Sequence, residues 1–125
     1  MKNNFLFILS APSGGGKTTI EKYILSKFTD LVPSISVTTR EPRTAEKEGF
    51  DYFFRTKDDY NKMIENKEFM EYFEVLDNLY GTPLNFVKQQ VQNGKNVLFN
   101  IDWQGARKIR KYTEFNIVSI FVCPP

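Results

Sequence analysis

Ala11-Pro12-Ser13-Gly14-Gly15-Gly16-Lys17-Thr18 matches the phosphate-loop pattern G-x-x-x-x-G-K-[ST], except that Ala11 stands in for the first glycine. Glycines let successive backbone N–H groups converge on phosphate oxygens. A helix opening near Lys17 adds the positive end of its dipole, and the lysine ammonium reaches the outer phosphates. The Thr18 hydroxyl would then hold Mg2+. A glycine-rich turn ahead of a lysine can also arise without function, but here the loop follows an apolar run and opens an amphipathic segment, as the motif requires.

Three further places carry chemistry. Arg40 and Arg43 offer planar forks that can grip a phosphate bidentately, with tyrosine hydroxyls to complete its shell; in isolation they also read as solvated loop arginines beside Pro42. Glu71 shares the strand parity of Phe69, Phe73 and Val75, so either that face is partly solvated or a carboxylate is set in an apolar pocket. Asp102 ends an apolar stretch, Val97 to Ile101. There it can meet Mg2+ or its water shell beside a phosphate loop, or simply form a strand-end turn.

These residues need elements to hold them. Phe5 to Leu9 is a continuous apolar run that suits a strand buried on both faces. Ile20, Tyr23, Ile24 and Phe28 then fall at helical spacing within Thr18 to Phe28. Ser34 to Thr39 is rich in β-branched residues and predicts a second strand, which gives a strand-helix-strand unit and a parallel sheet. Arg40 to Gly49 has no periodicity and marks a loop. Phe50 to Phe54 predicts a strand, Thr56 with Asp59 a capping box ahead of a helix striped by Tyr60, Met63 and Ile64, and Glu68 to Leu76 another strand. Thr82-Pro83 is expected as N-cap and first-turn proline of a helix carrying Leu84, Val87 and Val91 and ended by Gly94. A strand over Asn96 to Ile101, an interruption at Asp102 to Gly105, a short helix with Ala106, Ile109 and Tyr112, and a strand over Asn116 to Val122 complete the pass. Arg107, Lys108, Arg110 and Lys111 read as a solvated helix face.

Composition removes whole reaction classes. With no histidine and one cysteine, Cys123, the 125-residue chain offers no internal disulfide, no zinc site of the usual ligand set and no Ser-His-Asp or Cys-His unit. Seventeen basic against fifteen acidic residues leave a net charge of +2, too little field to favour nucleic acid. The apolar run near Met1 is too short for a signal-peptide core or a membrane span, which predicts a cytoplasmic protein without membrane association.

Taken in order, the glycine loop, Ser36-Val37-Thr38-Thr39-Arg40-Glu41-Pro42-Arg43, Gly49-Phe50-Asp51-Tyr52, Phe69-Met70-Glu71, Tyr80-Gly81-Thr82 and Ile101-Asp102-Trp103-Gln104-Gly105 closely resemble guanylate kinase along essentially the whole chain. The T-T-R-x-P-R and I-D-x-Q-G stretches are far more specific than the glycine loop. The resemblance implies an α/β fold: a P-loop kinase core of parallel strands over residues 1–35 and 88–125, C-terminally incomplete, with an inserted small α+β GMP-binding domain over residues 36–87. It implies transfer of the ATP γ-phosphoryl to GMP with Mg2+, giving ADP and GDP. Carried over position by position, Ala11, Pro12, Ser13, Gly14, Gly15, Gly16, Lys17, Thr18 and Thr19 fall where the family binds ATP. Ser36, Arg40, Arg43, Tyr52 and Tyr80 fall where it holds the GMP phosphate, and Glu71 and Thr82 where it reads guanine; Asp102 joins the GMP set. Lys17 and Arg43 are the expected catalytic residues, and Thr18 and Asp102 the expected metal contacts.

The chemistry of Glu71 fits that implication. A carboxylate only accepts hydrogen bonds, and guanine presents two adjacent donors, N1–H and the 2-amino group, where adenine has an unprotonated N1. The residue two before Asp102 is usually acidic in the family and here is Asn100, which contributes no charge. Two rival readings remain at this stage: a non-catalytic guanylate-kinase-like module that binds a phosphopeptide, which Gly16-Lys17-Thr18 argues against, and a P-loop kinase for another small acceptor, which Glu71 with Thr82 argues against. The expected partners are GMP and ATP, with monomer or weak dimer left open.

Overall fold

The apolar run near the start forms β1 (Phe5–Ser10), in which Leu6, Ile8 and Leu9 have no exposed surface. The computed structural model describes residues 4–10 and 17–121; the loop at 11–16, the side chains of Lys17 and Thr18, and Cys123 lie outside the described residues. Contacts divide the chain into two units, one made of Met1–Ser34 and Val87–Pro125, the other of Ile35–Phe86. These boundaries fall one residue earlier at each end than the expected 36–87.

The first unit is a parallel sheet in the order β2-β7-β1-β8. β1 lies between β7 (Asn96–Asn100) and β8 (Asn116–Phe121), and β2 (Leu31–Pro33) pairs with the other side of β7. Leu9, Leu31 and Leu98 form a buried cluster packed by Phe7 and Ile120 of the sheet and by Ile20, Ile24 and Leu25 of α1 (Lys17–Lys27). Leu6 and Ile8, on the opposite parity of β1, are equally buried, so the strand is covered on both faces as its unbroken apolar run requires. Two stripe residues expected in α1 do not pack this way. Tyr23 and Phe28 are exposed, and Leu25 takes their place; the Lys27 ammonium sits 5.3 Å from the Tyr23 ring.

The strand that returns to this sheet after α1 is Leu31–Pro33, not the expected Ser34–Thr39. Pro33 lacks a backbone donor and suits an edge strand such as β2. The Ser34 N–H still reaches the Leu98 carbonyl at 2.9 Å, after which the chain leaves the sheet.

The second unit carries its own sheet, in the order β4-β3-β6-β5. β3 (Val37–Thr38) runs parallel to β4 (Phe53–Phe54) and antiparallel to β6 (Asn78–Pro83), which forms a hairpin with β5 (Phe69–Val75). Only the last two residues of the strand expected over Phe50 to Phe54 enter the sheet, because Gly49 turns at φ 81° and Tyr52 forms an isolated bridge with Glu48. α2 (Lys57–Glu65) opens on Thr56, whose Oγ1 accepts the Asp59 N–H at 3.1 Å, a cap worth about 1 kcal/mol. Tyr60 and Phe69 meet with ring centroids 4.9 Å apart and, with Val37, form the core that Phe53, Met63, Ile64 and Leu79 surround.

Two helix starts differ from expectation. Thr82 and Pro83 belong to β6 rather than to a helix cap, and α3 (Leu84–Gln92) follows directly, its first N–H donated to the Glu68 carbonyl at 2.8 Å. Gly94 follows α3 at φ 82° and donates to the Val91 carbonyl, the left-handed stop that glycine supplies. Asp102 to Gly105 is not an interruption. Asp102 is the N-cap of α4 (Trp103–Ile109), its Oδ1 accepting the Gly105 N–H at 2.8 Å, and Tyr112 lies beyond that helix.

Candidate functional site

The residues expected to meet GMP, apart from Asp102, all lie in the Ile35–Phe86 unit: Ser36 just before β3, Arg40, Arg43 and Tyr52 in the loop after it, Glu71 on β5, and Tyr80 and Thr82 on β6. A register shift places Phe69 opposite Pro83 but Glu71 opposite Thr82, so Phe69, Met70 and Glu71 are buried in succession while Phe73 and Val75 face solvent. This bulge resolves the two readings of Glu71. It is a buried carboxylate, 4% exposed, and not a solvated strand residue. Thr82, also buried, donates its hydroxyl to Glu71 Oε2 at 2.7 Å. Gly81 beside it admits the Phe69 ring so closely that a Cβ would stand 2.6 Å from its carbons.

Tyr60 stands behind this pair. Its hydroxyl donates to the Tyr80 carbonyl at 2.8 Å, and burial together with the nearby Glu71 charge pushes its pKa up to about 12. In the sequence Tyr60 belongs to an apolar stripe, a pattern in which the hydroxyl leaves no trace. The Tyr80 ring stacks on Phe73 at 5.4 Å and lies 6.0 Å from that of Tyr52.

Arg40 joins the two tyrosines. Its guanidinium lies 5.1 Å from the Tyr52 ring centroid, and Tyr52 and Tyr80, after Glu46, help to raise its pKa. Its strongest partner was not foreseen. Nη1 and Nη2 donate to Oε1 and Oε2 of Glu46, each at 2.9 Å, and Nη1 also donates to the Glu41 carbonyl at 3.0 Å. Glu46 Oε1 in turn accepts the Arg43 N–H at 2.9 Å, which leaves the Arg43 side chain in an exposed part of the loop. The aperiodic loop over Arg40 to Gly49 is therefore pinned by a bidentate ion pair. Ser36 contributes its carbonyl to the Phe53 N–H at 2.9 Å.

Arg40, followed by the Arg43 N–H, holds the Glu46 carboxyl down to about 2 from an ordinary 4.5, and Arg40 itself is raised by the same contact. The folded-state value lies below the unfolded one, so the stabilisation is present above pH 4.5 and is lost as pH falls toward 2. Thermal midpoints between pH 5 and 2.5 should accordingly drop more steeply for the native chain than for Glu46→Gln. Parallel profiles would show that the pair contributes nothing to stability.

Elsewhere, in the other unit, Asp102 is exposed, with Oδ1 committed to capping α4. The Asn100 amide donates to Glu21 Oε1 of α1 at 3.3 Å, so a carboxylate does stand beside the position that lacks one. Arg107, Lys108, Arg110 and Lys111 are exposed, Arg107 lying over the Trp103 ring and Arg110 reaching Ser119. Among the described residues no group of three or more Asp, Glu, His and Cys side chains converges as a metal site, and no helix is long and apolar enough to cross a membrane. The glycine loop, with the side chains of Lys17 and Thr18, falls outside the described residues; Thr19 is exposed in α1.

A parallel α/β core whose first strand leads through a glycine loop into a helix, with an inserted unit offering arginines and a buried carboxylate, is the plan of a nucleotide-binding kinase core. The guanylate kinase family model matches residues 3–125. Guanylate kinase from Ehrlichia ruminantium is 43% identical over all of this chain, which spans 63% of that protein, and the one from Ehrlichia chaffeensis is 47% identical over 96% of this chain and 58% of its own length. A crystal structure of guanylate kinase from Anaplasma phagocytophilum superimposes with a TM-score of 0.73 at 38% identity, covering 98% of this chain and 61% of that one. The chain belongs to the guanylate kinase family. It spans about three-fifths of the length of these relatives.

Proposed function

We propose that this chain binds GMP in its Ile35–Phe86 unit and takes part in ATP-dependent phosphorylation of GMP to GDP in the cytoplasm. The observation that carries the reading is Glu71, a buried carboxylate oriented by the Thr82 hydroxyl. An acceptor-only group in that setting pairs with adjacent N–H donors, which guanine has and adenine lacks. A base that left it unmatched would cost about 1–3 kcal/mol per buried group. Arg40, Arg43, Tyr52 and Tyr80 supply cationic and hydroxyl donors for the phosphate.

Phosphoryl transfer demands alignment and charge neutralisation more than acid–base chemistry. In this reading the backbone of the loop at 11–16 cradles the ATP phosphates, Lys17 meets their outer oxygens, and Arg43 holds the accepting phosphate. Mg2+ would be held through Thr18 and, by way of water, Asp102, and when bound it neutralises charge on the ATP phosphates. The donor set suits that ion, which keeps most of its waters and takes few protein carboxylates. Asp102 has one oxygen on the α4 cap and is exposed to water, as a water-mediated contact requires.

Calorimetric titration with GMP, AMP and ATP separately tests both halves without requiring turnover. GMP should bind at least about a hundredfold more tightly than AMP, and ATP should bind independently of either. Equal affinities for the two monophosphates would overturn the reading.

A further inference from the structure

Glu46 contacts two of the residues that the proposed function gives to the phosphate, Arg40 and Arg43. Its carboxylate takes one N–H from each terminal nitrogen of Arg40 and, on Oε1, the backbone N–H of Arg43. The second Nη1 hydrogen goes to the Glu41 carbonyl. A guanidinium has five N–H donors in a fixed plane, so the pair with Glu46 uses its terminal edge and leaves the edge formed by Nε and Nη2. The Tyr52 ring lies 5.1 Å from the guanidinium and the Tyr80 ring 6.0 Å from that of Tyr52, and a phenol hydroxyl can donate its proton to an anion. The side chains of Arg40 and Glu46 are only 11% and 19% exposed, so pulling them apart would leave a carboxylate without its partner in a largely dry place.

We infer that Glu46 is a positioning residue of the phosphate clamp: it fixes the plane of Arg40 and the backbone at Arg43 so that the remaining guanidinium edge and the two tyrosine hydroxyls receive a phosphate monoester. This rests on the reading of the unit as a GMP site. A rival role for the same carboxylate is that of a place-holder, occupying the arginine until a phosphate displaces it. The geometry opposes that role, because Glu46 takes only the terminal edge of the fork and leaves another for an anion, and because Glu46 also holds the Arg43 backbone, which a phosphate taking its place would have to hold instead.

Glu46→Gln decides between them, with GMP and guanosine as the two probes and calorimetry as the readout. Gln keeps the length but turns one acceptor into a donor aimed at the arginine. GMP should bind about tenfold or more weakly while guanosine, which lacks the phosphate, changes less than about twofold. Tighter GMP binding in the variant would identify a place-holder and overturn the proposal. Equal weakening of both ligands would show a general structural role and overturn it as well. Unchanged GMP binding in the variant, with a native chain that prefers GMP to guanosine, would remove the proposal and leave the functional reading standing. A native chain that binds neither would remove both.

Discussion

Glu71→Gln is expected to reduce the preference for GMP over AMP by about a hundredfold or more, the scale on which a site built to pair with a purine's donors rejects the wrong partner. The substitution retains shape and lets the Thr82 hydroxyl donate to the remaining carbonyl oxygen, so the 2.7 Å hydrogen bond has a successor and the fold should survive. What changes is one acceptor, replaced by an amide N–H that would face a guanine donor. The measurement is the ratio of the two dissociation constants, with far-UV circular dichroism as the check on folding. If the ratio stayed the same in a folded variant, guanine would have to be read by another group and Glu71 would be a structural partner of Thr82 alone.

Arg43→Ala is expected to weaken GMP by about 10- to 100-fold and to leave ATP within about twofold, since a charge-assisted contact to a phosphate contributes roughly 1.5–3 kcal/mol. The backbone N–H that Arg43 gives to Glu46 is retained by alanine, so the loop keeps its tie and only the exposed guanidinium is lost. In the proposed function ATP meets residues 11–16, which belong to the other unit. Joint loss of both affinities in titrations of the variant would contradict that separation.

The local signals in the sequence were strongest where one periodicity ran unbroken. β1, α1, α2, β7 and β8 follow from apolar runs, helical spacing and a threonine cap, all decided by neighbours in the chain. The expectations that failed were decided by distant partners. Ser34 to Thr39 has the composition of a strand, but its first residue bonds to Leu98 in one sheet and Val37–Thr38 pair with Gly81 and Tyr80 in the other. Thr82-Pro83 has the composition of a helix start, yet the buried Glu71 claims the threonine hydroxyl. Among the site residues, Arg40, Tyr52 and Tyr80 are brought together, and so are Glu71 and Thr82, each linked across the sheet or loop that the motifs imply. Glu46 went unseen because a glutamate in an aperiodic, charged loop carries no pattern; its spacing from Arg40 acquires meaning only once the loop is folded.

The two neighbours of β1 both come from the far side of the inserted unit: Leu6 pairs with Val97 and Phe5 with Asn116. A chain made from its N-terminus must therefore hold Leu6, Ile8 and Leu9 without a sheet to enter until the segment beyond Lys95 has been synthesised. The hairpin of β5 and β6 needs no such wait, since Val75 already pairs with Asn78 across a turn at Leu76 and Asp77. Closing the long loop costs chain entropy before any β1 pairing can offset it, and antiparallel neighbours close first. The order of assembly is thus the reverse of the order of reading: the inserted unit can form early, and the core that opens the sequence is finished last, with its most apolar strand the longest exposed to other chains.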